Sequence, residues 1–132
     1  MRVGDEAPPR EVGPVERTMF VRYAGASGDF NPIHFSEDFA TQAGYPTVFA
    51  QGMFTAGVLA GMLTSWLGAN TVRRYGVRFT GQVWPGERLV CTGRVTDVRI
   101  SGGHTEVDCE LAVTNTDGDR KIAGRATCAL DG

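Results

Sequence analysis

Two residues in this chain, Asp29 and His34, have the types and spacing for proton chemistry. They bracket the run Gly-Asp-Phe-Asn-Pro-Ile-His at positions 28–34. A carboxylate accepts a proton, and an imidazole with an ordinary pKa near ~6.5 relays one. Asn31-Pro32 between them imposes a turn. That turn can bring both side chains to one side, where together they could hold and deprotonate a water. The same residues also suit a hydrated polar surface turn, and Asn31 suits holding the turn through backbone groups. Gly52, which opens a long apolar run, is the second feature. The first amides of a helix lack internal partners and lie at its positive end. A glycine there lets a carbonyl oxygen approach, and such an oxyanion donor is worth ~10²–10³ in rate. Close packing is the other reason for a glycine at that place. The acid/base turn and the amide-rich helix start fall in one segment, 28–53.

Other reactive residues carry less. Ser27 lies in Gly-Ala-Ser-Gly-Asp, which is not a G-x-S-x-G elbow. His104 falls in a glycine-rich hairpin and reads as solvated. Two histidines, at 34 and 104, give no zinc spacing. Walker A and G-x-G-x-x-G motifs do not occur. Arg73, Arg74 and Arg78 flank an early strand and either face a ligand phosphate or are ordinary exposed strand residues. Cys91, Cys109 and Cys128 cannot all pair within one chain, and none sits in C-x-x-C. Each is in phase with apolar residues of an expected strand. They read as small core residues in a reducing, cytoplasmic compartment.

The elements that must position these groups follow from pattern. Residues 1–15 read as an irregular entry with one short strand. Thr18 is placed to cap a helix over 19–25, with Phe20, Tyr23 and Ala24 on one face. Ser36 caps a second helix over 37–43, which Gly44 ends. Residues 51–67 form the main helix, on the order of 24 Å long. Its sides are Met53, Phe54, Val58, Leu59, Met62, Leu63, Trp66 and Leu67, the pattern of a helix surrounded by protein, and Gly68 is its C-cap. Period-two alternation follows over 75–80, 89–99, 105–113 and 121–130. Turn signals at Pro85-Gly86, Ser101-Gly102-Gly103 and Asp117-Gly118 separate the runs. This predicts an antiparallel meander with one wet face. A single buried helix needs a sheet curled around it. The expected class is α+β: a single hot-dog fold over 1–132, its antiparallel sheet wrapped around one long central helix.

The chain has 132 residues, 42% hydrophobic and 21% charged, enough for one real core. A net charge of -2 gives no footprint for nucleic acid. The start carries no signal-peptide pattern. The longest apolar run, 53–63, is broken by Thr55 and too short to span a bilayer, so no membrane partner is expected.

Residues 23–34, Tyr-Ala-Gly-Ala-Ser-Gly-Asp-Phe-Asn-Pro-Ile-His, resemble the hydratase motif of the MaoC-like, (R)-specific enoyl-CoA hydratase family. Ala-Gln-Gly-Met at 50–53 and Val-Arg-Phe-Thr at 77–80 resemble it in order and spacing. The likeness extends from residues 3–5 to the last strand, and is to the small, single-hot-dog type that includes (3R)-hydroxyacyl-ACP dehydratases. It implies dimers whose sheets join edge to edge, as a homodimer or with a homologous subunit. It implies reversible hydration of trans-2-enoyl thioesters, of CoA or acyl carrier protein, to (R)-3-hydroxyacyl thioesters, a chemistry that needs no metal or redox cofactor. The family's catalytic Asp and His fall on Asp29 and His34, and its carbonyl-binding amide on Gly52. Many relatives have His just before that glycine. Here Gln51 keeps hydrogen-bonding capacity but cannot titrate near neutrality. An acyl tunnel would draw on Phe30, Met53, Phe54, Val58 and Trp66, with space left by Ala56, Gly57 and Ala60. Asn31, Gln51 and Arg78 are further expected substrate contacts. A hot-dog thioesterase and a noncatalytic acyl-binding subunit of a heterodimer are the alternatives.

Overall fold

The computed structural model describes residues 1–130. Asp131 and Gly132, the end of the expected 1–132 domain, lie outside the described residues. A short strand β1, Arg10–Val12, leads into helix α1, Arg17–Ser27. The helix begins before Thr18, which therefore does not cap it. Its first turn closes tightly instead, Met19 N–H bonding the Glu16 carbonyl at 2.9 Å. It runs past Gly25 and stops at Gly28, which is left-handed (φ 77°) and returns its N–H to the Ala24 carbonyl. A 3-10 turn, Pro32–His34, follows. Helix α2, Glu37–Gln42, is capped as expected: Ser36 Oγ accepts the Phe39 N–H at 3.3 Å. Helix α3 is Gly52–Leu67, closed by the Gly68 N–H on the Thr64 carbonyl.

The remaining chain forms β2 (Val72–Phe79), β3 (Leu89–Ser101), β4 (His104–Asn115) and β5 (Arg120–Ala129). With β1 they make one five-stranded sheet in the order β1-β3-β4-β5-β2, every pairing antiparallel. Only β3-β4-β5 is a meander. The first long strand, β2, crosses to the far edge beside β5. The free edge of β3 is already taken by β1 and by residues 4–7, which bond Val95 and Gly93.

Helix α3 lies against the inner face of this sheet. Leu111 stands in a cross-strand row between Gly93 and Gly124. A Cβ on Gly93 would come 3.0 Å from Leu111 Cδ2 and 3.3 Å from Met62 Cε; one on Gly124 would come 3.3 Å from Leu59 Cδ2. The two glycines make a trough that admits the helix. Leu59 and Met62 reach into it and, with Leu63, are essentially fully buried, as are Cys91, Cys109 and Cys128. Burial raises the Cys91 thiol to about 11 and the Cys109 thiol to about 12, so both stay protonated near neutrality.

The expectation that α3 is enclosed on all sides fails at its N-terminal half. Gly52, Met53 and Gly57 are exposed, Met53 to 60%. A single five-stranded sheet covers only part of a cylinder roughly 10 Å across. Phe54, packed edge-on against Phe20 and Tyr23 of α1, closes another sector. The strip through 53 and 57 is left over.

Candidate active site

The turn carrying Asp29 is built by short polar side chains that cap their own backbone. Ser27 Oγ donates to the Tyr23 carbonyl at 2.7 Å and accepts the Asp29 N–H at 3.2 Å. Asp29 Oδ1 accepts the Asn31 N–H at 3.3 Å, and Asn31 Oδ1 accepts the Ile33 N–H at 3.1 Å. The first is a back-bond onto the last turn of α1, and the other three are Ser- or Asx-type turns. Asn31 thus spends its carbonyl on the turn, and Ser27 is a capping residue. Asp29 Oδ2 is left to face His34.

His34 is buried, 8% exposed, and its Nδ1 lies 2.8 Å from the Phe49 carbonyl oxygen. A carbonyl only accepts, so Nδ1 carries the hydrogen. In the neutral ring Nε2 then presents its lone pair. Nε2 is 3.8 Å from Asp29 Oδ2. That is too long for a direct hydrogen bond and short enough for one water to touch both groups. The Phe49 ring meets the imidazole edge-on at 5.3 Å and so fixes its plane as well.

Three residues after Phe49, α3 begins. Gln51 accepts the N–H of Phe54 at 3.1 Å and of Thr55 at 3.4 Å through its backbone carbonyl. The amides of Gly52 and Met53 have no partner among the described residues, the condition of a helix start open to an anion or oxyanion. Gly52 is a glycine for a visible reason: a Cβ there would lie 3.0 Å from Phe79 Cε1 and 3.1 Å from Cζ. Phe79, half-exposed at the end of β2, lies over the helix start. A cavity of about 400 Å³ opens beside it, lined by Phe49, Gly52, Thr55, Phe79 and Lys121 among others.

Gln51 is 1% exposed. Its Nε2 donates to the Phe20 carbonyl at 2.9 Å, tying α1 to the start of α3, while Oε1 is buried without a protein partner. Met53 and Gly57 lie one turn apart on the open strip, and beyond the helix's own neighbouring residues no atom comes within 4 Å of a Cβ built on Gly57. Phe30 is 64% exposed beside Asp29. Phe54 and Trp66 are packing residues: Phe54 in the α1 cluster, Trp66 3.2 Å from a Cβ on Gly93.

Arg78 is not brought to this place. Tyr75, two pairs of residues before Phe79, points inward and donates its hydroxyl to the Ala56 carbonyl of α3 at 2.6 Å; burial raises that phenol to about 12. Tyr75, Val77 and Phe79 therefore face the helix, and Gly76 and Arg78 face out. Arg74 likewise borders a broader outer-face concavity of about 750 Å³ with Asp108 and Thr127, which is distinct from the Asp29–His34 turn. The acidic side of that face is self-contained: Arg99 donates two bonds to Asp108, which also accepts from Thr127. Three participants gave no signal in the sequence: the Phe49 carbonyl, which is backbone, the Phe79 ring, and Lys121, which alternation places in phase with Arg125 and Thr127 on the wet face of its strand although it is buried.

Comparison with known proteins bears on the same segment. A family model described as MaoC like domain matches residues 2–117. The fatty acid synthase beta subunit TOXC of Cochliobolus carbonum is 30% identical over 107 residues, 79% of this chain and 5% of that protein. Enoyl-CoA hydratase ChsH3 of Mycobacterium tuberculosis is 38% identical over 65 residues, 47% of this chain and 23% of that one. The chain thus spans a small fraction of the curated relatives it matches. Among solved structures, the (R)-hydratase from A. caviae involved in PHA biosynthesis superposes with a TM-score of 0.87 at 21% identity, covering 99% of this chain and 98% of that one. The likeness establishes the hot-dog fold.

Proposed function

Because the chain belongs to the MaoC-like domain family, we propose that it is a hydro-lyase that reversibly hydrates trans-2-enoyl thioesters to (R)-3-hydroxyacyl thioesters in fatty-acid metabolism. The observation that carries this reading is the 3.8 Å gap between His34 Nε2 and Asp29 Oδ2, with the Nδ1 hydrogen committed to the Phe49 carbonyl. A water held in that gap meets a lone pair on one side and a carboxylate on the other. The thioester oxygen binds the open amides at Gly52 and Met53, which draws electron density from C3. The held water attacks C3 and loses a proton to the Asp29–His34 pair, and a proton returns to C2 from the same pair. Asp29 and His34 face the same water across that gap, so the roles belong to both.

The open strip of α3 through Met53 and Gly57 supports an acyl path along the helix, closed by a second subunit. A neighbour that is a complex of two named subunits supports a homologous partner: the ChsH1-ChsH2 complex of Mycobacterium tuberculosis, with a TM-score of 0.86 at 21% identity. The edge strand β2 is where a second sheet would join. The thiol carrier is CoA or an acyl carrier protein, and the three buried free thiols fit a reducing cytoplasm.

The test is the ultraviolet absorbance of an enoyl thioester. Purified protein added to crotonyl-CoA, with a longer enoyl-CoA in parallel, is expected to remove the conjugated absorbance and yield the 3-hydroxyacyl adduct. Asp29→Asn, with an unchanged melting temperature, is expected to lose ~10²–10⁴ in rate, the worth of a positioned general base. An Asp29→Asn enzyme that kept wild-type turnover, or release of free thiol instead of hydration, would overturn the assignment.

A further inference from the structure

Lys121 is a buried lysine, 6% exposed. Its ammonium donates to the Gln82 carbonyl at 2.8 Å and lies 3.1 Å from Glu87 Oε2. Glu87 Oε1 accepts the Trp84 N–H at 2.7 Å, and Oε2 accepts from Asn115 Nδ2 at 2.8 Å. Burial pushes the Glu87 carboxyl up, but the hydrogen bonds from Asn115, Trp84 and Lys121 outweigh it and hold the group below its ordinary value. Both ends of the pair grip one segment, residues 82–87, between β2 and β3. A buried pair that served cohesion alone would be a poor device, because apolar side chains do that job at no desolvation cost. This one has a different output. Val83 of the gripped segment accepts the Ala50 N–H at 2.9 Å, and the Trp84 ring meets the Phe49 ring edge-on at 5.7 Å. Phe49 in turn holds His34 by its carbonyl and by its ring.

We propose that the Lys121–Glu87 pair is a positioning device for His34, acting through residues 82–87 and Phe49 to hold the imidazole in the Nδ1–H tautomer with Nε2 turned to Asp29. Neither residue touches the reacting atoms. The pair sets where the 82–87 segment sits, the segment sets the Phe49 carbonyl, and the carbonyl selects the tautomer. The same 49–50 backbone runs directly into Gln51 and Gly52, so the oxyanion amides hang from the same anchor. The consequence for rate rests on the hydratase reading; the consequence for the tautomer does not.

The experiment is nitrogen-15 spectroscopy of the two histidine rings, with His104→Gln to assign the signals. Wild-type His34 is expected to show one protonated and one bare ring nitrogen. Two variants loosen the anchor. Lys121→Met/Glu87→Gln removes both charges together and leaves neither buried alone. Glu87→Asp shortens the carboxylate so that it cannot reach Lys121 and the Trp84 N–H at once. In each, His34 is expected to move toward tautomer-averaged shifts, and kcat to fall about tenfold to hundredfold, the scale of a catalytic group misplaced by ~1 Å, with little change in KM. A folded variant of either kind with the wild-type His34 signature would overturn the proposal whatever its activity. A changed signature in a protein that hydrates no enoyl thioester, short or long, on CoA or on acyl carrier protein, would keep the positioning role and remove the hydratase.

Discussion

The two halves of helix α3 are made by opposite rules. From Leu59 onward the helix is defined by what fills it: Leu59 and Met62 seat in the trough between Gly93 and Gly124, and Leu63 is buried beside them. From Gly52 to Gly57 it is defined by what is left out. Two amides have no acceptor among the described residues, Gly52 has no side chain under the Phe79 ring, and nothing approaches Gly57. An unsatisfied helix start costs free energy wherever it occurs. Here the packed half holds the helix still, and in the proposed function the open half keeps its donors for the thioester oxygen. Stability and chemistry are therefore separable along one element.

The largest test of that separation is in the packed half. Leu59 is fully buried, so Leu59→Ala should cost about 2–5 kcal/mol, the range for a leucine-sized cavity in a core. Urea melts of wild type and variant would measure it. Turnover per folded molecule should hardly change, and a large fall in kcat without a stability loss would break the division.

A smaller effect of the opposite kind is expected at the other end. Gly52 has no positive φ, so alanine fits the backbone and, as the better helix former, is worth up to ~1 kcal/mol. Its Cβ nonetheless falls 3.0 Å from the Phe79 ring. Gly52→Ala should keep or raise the melting temperature while kcat drops about tenfold, less than the ~10²–10³ for losing an oxyanion donor outright. Phe79→Ala in the same chain should restore much of the rate if the ring is the obstacle. A Gly52→Ala enzyme of full activity would mean that the helix start is not where the carbonyl binds.

How far these features were legible follows from the kind of interaction that makes them. Local ones were: Asn31-Pro32 as a turn, Ser36 as a cap, Gly68 as a stop, and the strand runs at 89–99, 105–113 and 121–130 all depend on neighbours in the chain. The α1 start was not, because a tight Met19–Glu16 bond replaced the side-chain cap that Thr18 offered. The place of β2 was not, because it depends on which edge residues 4–12 occupy. Alternation did separate Arg78 from Phe79. Which of the two meets the helix is decided by Tyr75 reaching Ala56, a contact across 19 positions. In the site, the acid/base side chains and the helix start at Gly52 were legible, and the groups that hold them were not: Asp29 and His34 announce themselves by type, whereas the Phe49 carbonyl that sets the imidazole is an atom every residue carries, and the Phe79 ring and Lys121 reach the site only through the fold.

Gly57 is where the open half can be sharpened furthest, with the smallest expected effect on stability. A side chain there points into unfilled space, so Gly57→Leu should melt within about 0.5 kcal/mol of wild type, as surface substitutions usually do. Two occupants of that space give different outcomes. If an acyl chain lies along the strip, the leucine shortens the path: kcat/KM for a long enoyl thioester should fall several-fold while crotonyl-CoA is turned over as before. If a second subunit seats there, the leucine should weaken assembly, visible by size exclusion as a concentration-dependent shift, and activity on all chain lengths should fall together. Unchanged chain preference and unchanged assembly would remove Gly57 from the working surface and leave the chemistry to the first turn of the helix alone.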